Sequence, residues 1–269
     1  MPISSRVAVS WVAALVAAGA SLAARSAHAN PRPLPFTYIS ETLGKGQTEV
    51  EQYADLTPVR GSTGTQHVDY MRFQLQTEFE HGITDNLELG LYVSFAGDPP
   101  AGLATAAEPI EGNAIKQRLR WRLADVGAWP IDVALYGEVL ESRTEVELEG
   151  KVILQRRFGP LRAVANLWIE QEFYFNGTRE TVLHPTAGVT GEVRPWMHVG
   201  LEWWMHQELP HSDWNSNAHH YVGPALMLAF DKLWWSTGVY YRLDDGGRTL
   251  DPGDGYGALW FRTIIGLEI

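Results

Sequence analysis

The densest chemistry in this chain is a basic ladder, "IKQRLRWRL" (Ile115 to Leu123), in which Lys116, Arg118, Arg120 and Arg122 recur at every second residue. At that spacing the cations share one face of a strand, where they can pair with carboxylates or draw in anions. Carboxylates flank the ladder on both sides: Glu78, Glu80 and Glu88 before it, Asp132 and Glu138 after it. A second group, Glu138, Glu141, Glu145 and Glu147, has Arg143 as its one nearby base. Such an acidic rim favours cations and offers hard oxygen ligands.

The stretch "MHQELPHSDWNSNAHH" gathers His206, His211, His219 and His220 around Asp213. Imidazoles with a carboxylate can bind zinc, copper or nickel, yet no fixed metal spacing such as His-Glu-x-x-His is present, so no metal site is assigned. The same stretch holds His211, Ser212, Asn215, Ser216 and Asn217, the residue types of a Ser–His–Asn lipid hydrolase. They crowd one loop, with no strand-borne serine opposite a histidine, so no catalytic residue and no cofactor is assigned. The absence of cysteine excludes disulfide frameworks and thiol catalysis.

These groups need elements to hold them, and the elements alternate. In "TEFEHGITDNLELGLYVSF" (Thr77 to Phe95), Leu87, Leu89, Leu91, Val93 and Phe95 interleave with Glu88, Gly90, Tyr92 and Ser94 after a Gly-Ile-Thr-Asp-Asn turn. That is a β-hairpin with one apolar and one polar face. Twelve such stretches follow one another, near 47–59, 68–81, 87–96, 112–123, 131–140, 144–158, 161–175, 180–193, 197–207, 219–230, 234–243 and 256–269. Their connections alternate between short turns and longer Gly/Pro/Asp/Asn-rich loops, with 141–143 and 176–179 as brief exceptions. Several stretches alternate for ten or more residues, near the length a tilted strand needs to cross a bilayer. Trp129, Phe158, Trp196, Trp234 and Trp235 sit beside short turns, and Phe95, Phe173, Phe175, Trp203, Tyr241 and Tyr256 lie toward the long loops, as two interfacial girdles would. The pattern predicts an all-β fold: a single antiparallel transmembrane β-barrel of 12 strands, both termini periplasmic.

The N-terminus supplies a route to such a membrane. Arg6, the apolar run Val7 to Ala24 and "AHA" (Ala27 to Ala29) have the layout of a secretory signal peptide. The chain thus divides into a signal peptide (1–29), a periplasmic N-terminal segment (30–46) and an outer-membrane β-barrel (47–269). Removing Arg6 and Arg25 leaves 19 basic against 32 acidic residues, net −13. That balance argues against nucleic acid as a partner.

The segment "YISETLGKGQTEVEQY" (Tyr38 to Tyr53) and the Thr77–Phe95 hairpin resemble a family of uncharacterised proteobacterial outer-membrane proteins, which open with a similar Glu-Thr-Leu-x-Lys-Gly segment and carry a Gly-hydrophobic-Thr-Asp hairpin. The similarity covers Tyr38 to Phe95. It implies an outer-membrane barrel, sometimes labelled a putative transporter, with no established substrate or catalytic residues. The last strand, "ALWFRTIIGLEI", departs from the usual signature by ending in Ile269 rather than an aromatic residue.

With the apolar parity outward, Lys116, Arg118, Arg120, Arg122, Glu78, Glu80, Glu88, Asp132, Glu138, Glu145, Glu147, Glu149 and Lys151 point into the lumen. A turn centred near Thr84 would set Glu80 opposite Glu88, and one near Gly127 would set Arg122 opposite Asp132. The predicted result is a Glu80–Glu88–Arg122–Asp132 cluster on the lumen wall, within a six-residue lumen-lining charge cluster that also takes in Arg118 and Arg120. It could constrict a pore or simply neutralise itself and fill a narrow barrel. The functional expectation is a narrow channel in the bacterial outer membrane for small hydrophilic solutes or ions, in contact with outer-membrane lipid. The alternatives are an outer-membrane lipid hydrolase, or a plugged barrel with a structural or surface-binding role.

Overall fold

The computed structural model describes residues 30–62, 66–96, 114–210, 216, 218–244 and 257–269. The expected signal peptide lies outside the described residues. In chain order the strands are β1 (Thr48–Ser62), β2 (His67–Thr84), β3 (Leu87–Ala96), β4 (Ala114–Arg122), β5 (Asp132–Glu141), β6 (Glu145–Phe158), β7 (Leu161–Tyr174), β8 (Arg179–Leu183), β9 (Thr186–Arg194), β10 (Met197–Pro210), β11 (His219–Phe230), β12 (Leu233–Arg242) and β13 (Leu259–Glu268). Each pairs antiparallel with its neighbours, and β13 pairs with β1 to close the ring.

Strands β8 and β9 are two halves of one stave, since both bridge β7 and β10. His184 and Pro185 separate them, and proline has no N–H to give to a ladder. The seam is still tied. The His184 N–H donates to the Trp168 carbonyl at 3.1 Å, and the Pro185 carbonyl accepts from the Met205 N–H at 3.0 Å. The barrel therefore has twelve staves, as the alternation predicts.

Alternation also sets what faces where. Along β4 every second residue is buried, so Lys116, Arg118 and Arg120 turn inward while Ile115, Leu119 and Trp121 are exposed. Leu75, Phe79, Leu91, Val93, Leu167 and Leu201 lie on the same outer wall. A water-soluble monomer rarely exposes a continuous apolar belt of this kind, whereas a barrel in lipid requires one. Trp129, Phe158, Trp196 and Trp235 are exposed beside the short turns, and Phe95, Phe175 and Tyr241 near the other end. Trp234 departs from the expected girdle. It points inward and is fully buried, and its Nε1–H donates to Glu49 at 2.6 Å. Tyr256 lies outside the described residues.

The largest departure from the sequence reading concerns residues 30–46, expected as a periplasmic segment ahead of the barrel. They form a loop folded into the lumen. Near the short-turn end the Asn30 N–H donates to Glu49 at 3.1 Å. Midway up, the Phe36 and Thr37 N–H groups donate to Glu202 at 3.0 and 2.5 Å. The chain then returns, with the Leu43 N–H on Glu88 at 2.7 Å and the Lys45 N–H on Asp85 at 3.0 Å. This re-entrant loop enters and leaves by the same mouth and delivers the chain to β1. Pro31, Pro33 and Pro35 keep it extended, and its remaining N–H groups need partners when buried. Wall side chains supply them at Asn30, Phe36, Thr37, Tyr38, Ser40, Leu43 and Lys45.

Candidate functional site

The lumen is divided by the re-entrant loop. Beside the loop's returning arm, on β2 to β4, lies a charge cluster centred on Arg118, which is almost fully buried. Its Nε donates to Glu78 at 2.6 Å, its Nη1 to Glu88 at 2.7 Å, and its Nη2 pairs with Glu80. Arg120 adds a forked bond to Glu88 at 2.7 and 2.9 Å. A guanidinium presents five N–H donors in a fixed planar fork, against three on a lysine ammonium, and so suits this set of carboxylates. The space for it comes from Gly90, directly opposite Arg118. A Cβ on Gly90 would lie 2.5 Å from Arg118 Nε and 2.7 Å from Glu78 Oε1.

Four of the six cluster residues named from the sequence therefore meet: Glu80, Glu88, Arg118 and Arg120. Arg122 and Asp132 do not join them. Arg122 instead binds the Asp85 carbonyl at 2.9 Å and Asn86 Oδ1 at 2.7 Å, and it ion-pairs with Asp125 at 3.6 Å. Its cross-strand partner is Ala134, and Asp132 accepts from the Gly127 N–H at 2.6 Å to close the next turn. Likewise Glu88 lies opposite Gly82, not Glu80, because the turn centres between Asp85 and Asn86, where Thr84 pairs with Leu87, and the bulge in β2 between Gly82 and Thr84 then sets Gly82 against Glu88.

Above the loop, on the long-loop side, is a vestibule of about 830 Å³ with Phe36 and Tyr38 in its floor. Of the four residues predicted for the acidic rim, Glu138, Glu145 and Glu147 line it. Glu141 does not. It ends β5 on the outward parity and is exposed. The rim is also larger than the sequence suggests, since Glu149, Glu170, Glu172, Glu180 and Glu208 line the same space. Lys116 ion-pairs with Glu138 at 3.2 Å, and Lys151 pairs with Glu149. The Lys151 ammonium sits 3.5 Å from the Trp168 ring centre and 4.0 Å from that of Tyr136.

The loop itself is seated by shape and charge. Leu34 is fully buried against Gly188 and Gly200, where an added Cβ would lie 2.7 and 2.9 Å from its methyl carbons. Asn166 grips Tyr38 in both directions, accepting from its N–H at 2.7 Å and donating to its carbonyl at 2.9 Å. Arg262, bonded to Asp55 at 2.6 and 2.7 Å, lies over the Phe36 ring. Near the short turns, burial would raise the Glu41 carboxyl, but Arg162 at 3.3 Å and a hydrogen bond from Arg157 hold it below the ordinary carboxylate value. Gln155 accepts from the Ser40 N–H at 3.3 Å. Sequence reading missed Leu34, Asn166, Gln155 and Glu202; for Asn166 and Gln155 the available signal was an uncharged polar residue at an inward position of an otherwise charged stave.

The histidines are spread out. His219 Nδ1 bonds Asp244 at 2.8 Å, His206 lies 3.3 Å from Glu208, and His220 stacks on Trp203. Among the described residues, no group able to hold a metal ion includes a histidine; those that could are carboxylates only. His211, Ser212, Asp213, Asn215 and Asn217 lie outside the described residues.

No protein-family model matches the chain, and no curated protein matches it in sequence. The family suggested by Tyr38 to Phe95 thus gains no support from sequence comparison. Solved structures do share the architecture. A NanC porin superposes with a TM-score of 0.55 at 8% identity, covering 83% of this chain and 100% of that one. A KdgM porin gives 0.49 at 8% identity, covering 82% and 99%. At such identity the likeness is one of fold, and the fold is the closed twelve-stranded antiparallel barrel of outer-membrane porins.

Proposed function

We propose that the protein is a bacterial outer-membrane channel for small hydrophilic solutes or ions, with the short turns and both termini on the periplasmic side. The observation that carries this reading is the pairing of an apolar outer belt with an inner wall that, from β1 to β7 above all, is rich in buried charged residues along the same staves. A core meant only to hold a protein together would not be built from arginines and glutamates, whose burial is costly. The charged wall fits transit of polar solutes, and the surplus of carboxylates at the outer mouth favours cations.

The re-entrant loop obstructs the lumen, so its position governs conduction. It is joined to the wall by backbone hydrogen bonds, several of them to carboxylates and worth about 1.5–3 kcal/mol each. The buried side chains of Leu34, Phe36, Ile39 and Leu43 add to the hold. Planar-bilayer recording tests the reading. The full chain is expected to give small, cation-leaning steps, and a chain lacking residues 30–46 larger and more persistent ones. The chain has no cysteine, so Leu34→Cys with Gly200→Cys gives a clean lock on the loop, which should silence conductance until reduced. Silence from the loop-deleted barrel at every voltage would leave the alternative, a plugged barrel with a structural or surface-binding role.

A further inference from the structure

We propose that the buried carboxylates of Glu49, Glu51 and Glu80 form the receptor for the chain's own new N-terminus, the α-ammonium that cleavage after Ala29 leaves on Asn30. The proposal rests on that cleavage, which the sequence predicts, and not on conduction.

The contact is already in place. The Asn30 main-chain nitrogen lies 3.1 Å from Glu49 Oε2, while Glu49 Oε1 accepts from Trp234 Nε1–H at 2.6 Å. Asn30 directly follows the small-residue motif "AHA". Hydrolysis of the Ala29–Asn30 peptide bond by the secretory peptidase adds one water across it, leaving a carboxylate on Ala29 and an amine on Asn30. An α-amine is ordinarily protonated at neutral pH. The nitrogen beside Glu49 then changes from a neutral amide with one N–H to an ammonium with three.

Two independent features of the wall call for that group. The first is a charge deficit. Glu49, Glu51, Glu78, Glu80 and Glu88 are buried on β1 to β3, with Glu49 opposite Glu80 and Glu51 opposite Glu78, against Arg32, Arg118 and Arg120. Five carboxylates against three guanidinium groups leave two negative charges, and buried charge without a partner is costly. The α-ammonium removes half of that deficit. The second is a pair of unused acceptors. Glu51 Oε1 and Glu80 Oε2 have no hydrogen-bond partner, although both side chains are almost completely buried. Glu51 Oε2 takes Arg32 and Tyr53, Glu80 Oε1 takes Arg118, and Arg120 stands 3.9 Å from Glu80 Oε2. Each of the three carboxylates brings one oxygen within 4.8 Å of the other two. A three-donor group at Glu49 is thus offered a set of acceptors.

Asn30 is also where the two arms of the loop meet. Its Nδ2 donates to the Glu41 carbonyl on the returning arm at 3.3 Å, and Arg32, two residues on, pairs with Glu51 at 3.5 Å. Docking of the ammonium pins the entering arm and, through the Asn30 side chain, the returning one. In the unprocessed chain a neutral amide takes its place, so full seating of the loop follows processing.

N-terminal sequencing and intact mass of the barrel purified from outer membranes should give Asn30 as the first residue; any other start overturns the proposal. Amide hydrogen exchange in detergent then compares the native chain with Glu49→Gln and with a chain carrying Ser-Gly inserted between Ala29 and Asn30. The insertion leaves every wall residue intact and moves the ammonium two residues away, as its mass will show. Exchange across residues 32–43 should quicken about tenfold or more in the extended chain while the β1–β13 seam stays protected. Glu49→Gln should quicken it too, and adding the insertion to Glu49→Gln should change little more. Should Glu49→Gln fail to fold, acetylation of the native chain takes its place. The buried α-amine should react with acetic anhydride about tenfold more slowly than the exposed Lys45 and Lys232. Equal exchange in the native and extended chains overturns the proposal. So does protection of the native loop that is lost in EDTA, which would make the three carboxylates a divalent-metal site instead. Neither result depends on whether the barrel conducts.

Discussion

Arg118 on β4 reaches over Gly90 on β3 to place its Nε 2.6 Å from Glu78 on β2. One side chain thus spans three staves and neutralises carboxylates that would otherwise repel one another inside the wall. Arg118→Met leaves Glu78, Glu80 and Glu88 buried together, and breaking a buried pair in this way costs roughly 3–5 kcal/mol. The expected outcome is a lower midpoint in urea unfolding of the lipid- or detergent-bound barrel. Arg118→Lys should recover only part of it.

Gly90→Ala should act through the same contact. The added methyl would lie 2.5 Å from Arg118 Nε, so the guanidinium must shift off Glu78. Overpacking of this sort costs about 1–3 kcal/mol. Combining Gly90→Ala with Arg118→Met should cost less than the sum of the two single changes, as a double-mutant cycle would read.

Leu34→Ala should loosen the re-entrant loop without opening the ring of strands. It empties the seat made by Gly188 and Gly200, and truncation of a fully buried leucine costs about 2–5 kcal/mol. Amide hydrogen exchange should quicken across residues 34–43 while the β1–β13 seam stays protected. Equal quickening at the seam would mean the loop holds the barrel together.

Glu41 predicts a pH dependence confined to acid. Its carboxyl lies below the ordinary value of 4.5 because Arg162 and Arg157 outweigh burial. A lowered folded value means the contact contributes fully above the ordinary carboxylate range and is lost as pH falls through the lowered value. Protection of the loop's returning arm should therefore hold from neutral pH down past 4.5 and fail below it. Arg162→Ala should move the failure to higher pH.

How far the sequence revealed all this depends on what alternation can encode. A slip of one residue turns a strand inside out, so parity is strongly written into the order of apolar and polar residues. Hence the twelve staves, the inward cations and the outward leucines are legible. A slip of two leaves parity untouched, so pairing across a turn is not. The bulge between Gly82 and Thr84 moves Glu88 opposite Gly82, and a similar offset moves Arg122 opposite Ala134. The inward set is read correctly and its partners wrongly for that reason. The segment 30–46 has no periodicity to read, and its place depends on acceptors more than a hundred residues away in sequence, Glu202 and Asn166 among them. Trp234 misleads for a related reason: it is inward by parity, but its size and its neighbour Trp235 suggest an interfacial ring.

Since the filler comes in and goes out by one opening, none of the described residues is threaded through a closed circle. The seam between first and last staves can seal with the lumen empty or occupied, and the loop can leave and return without unzipping a single strand. Its removal is a matter of tethered docking, graded by how many wall acceptors let go at once, with the released length always held beside its own receptacle.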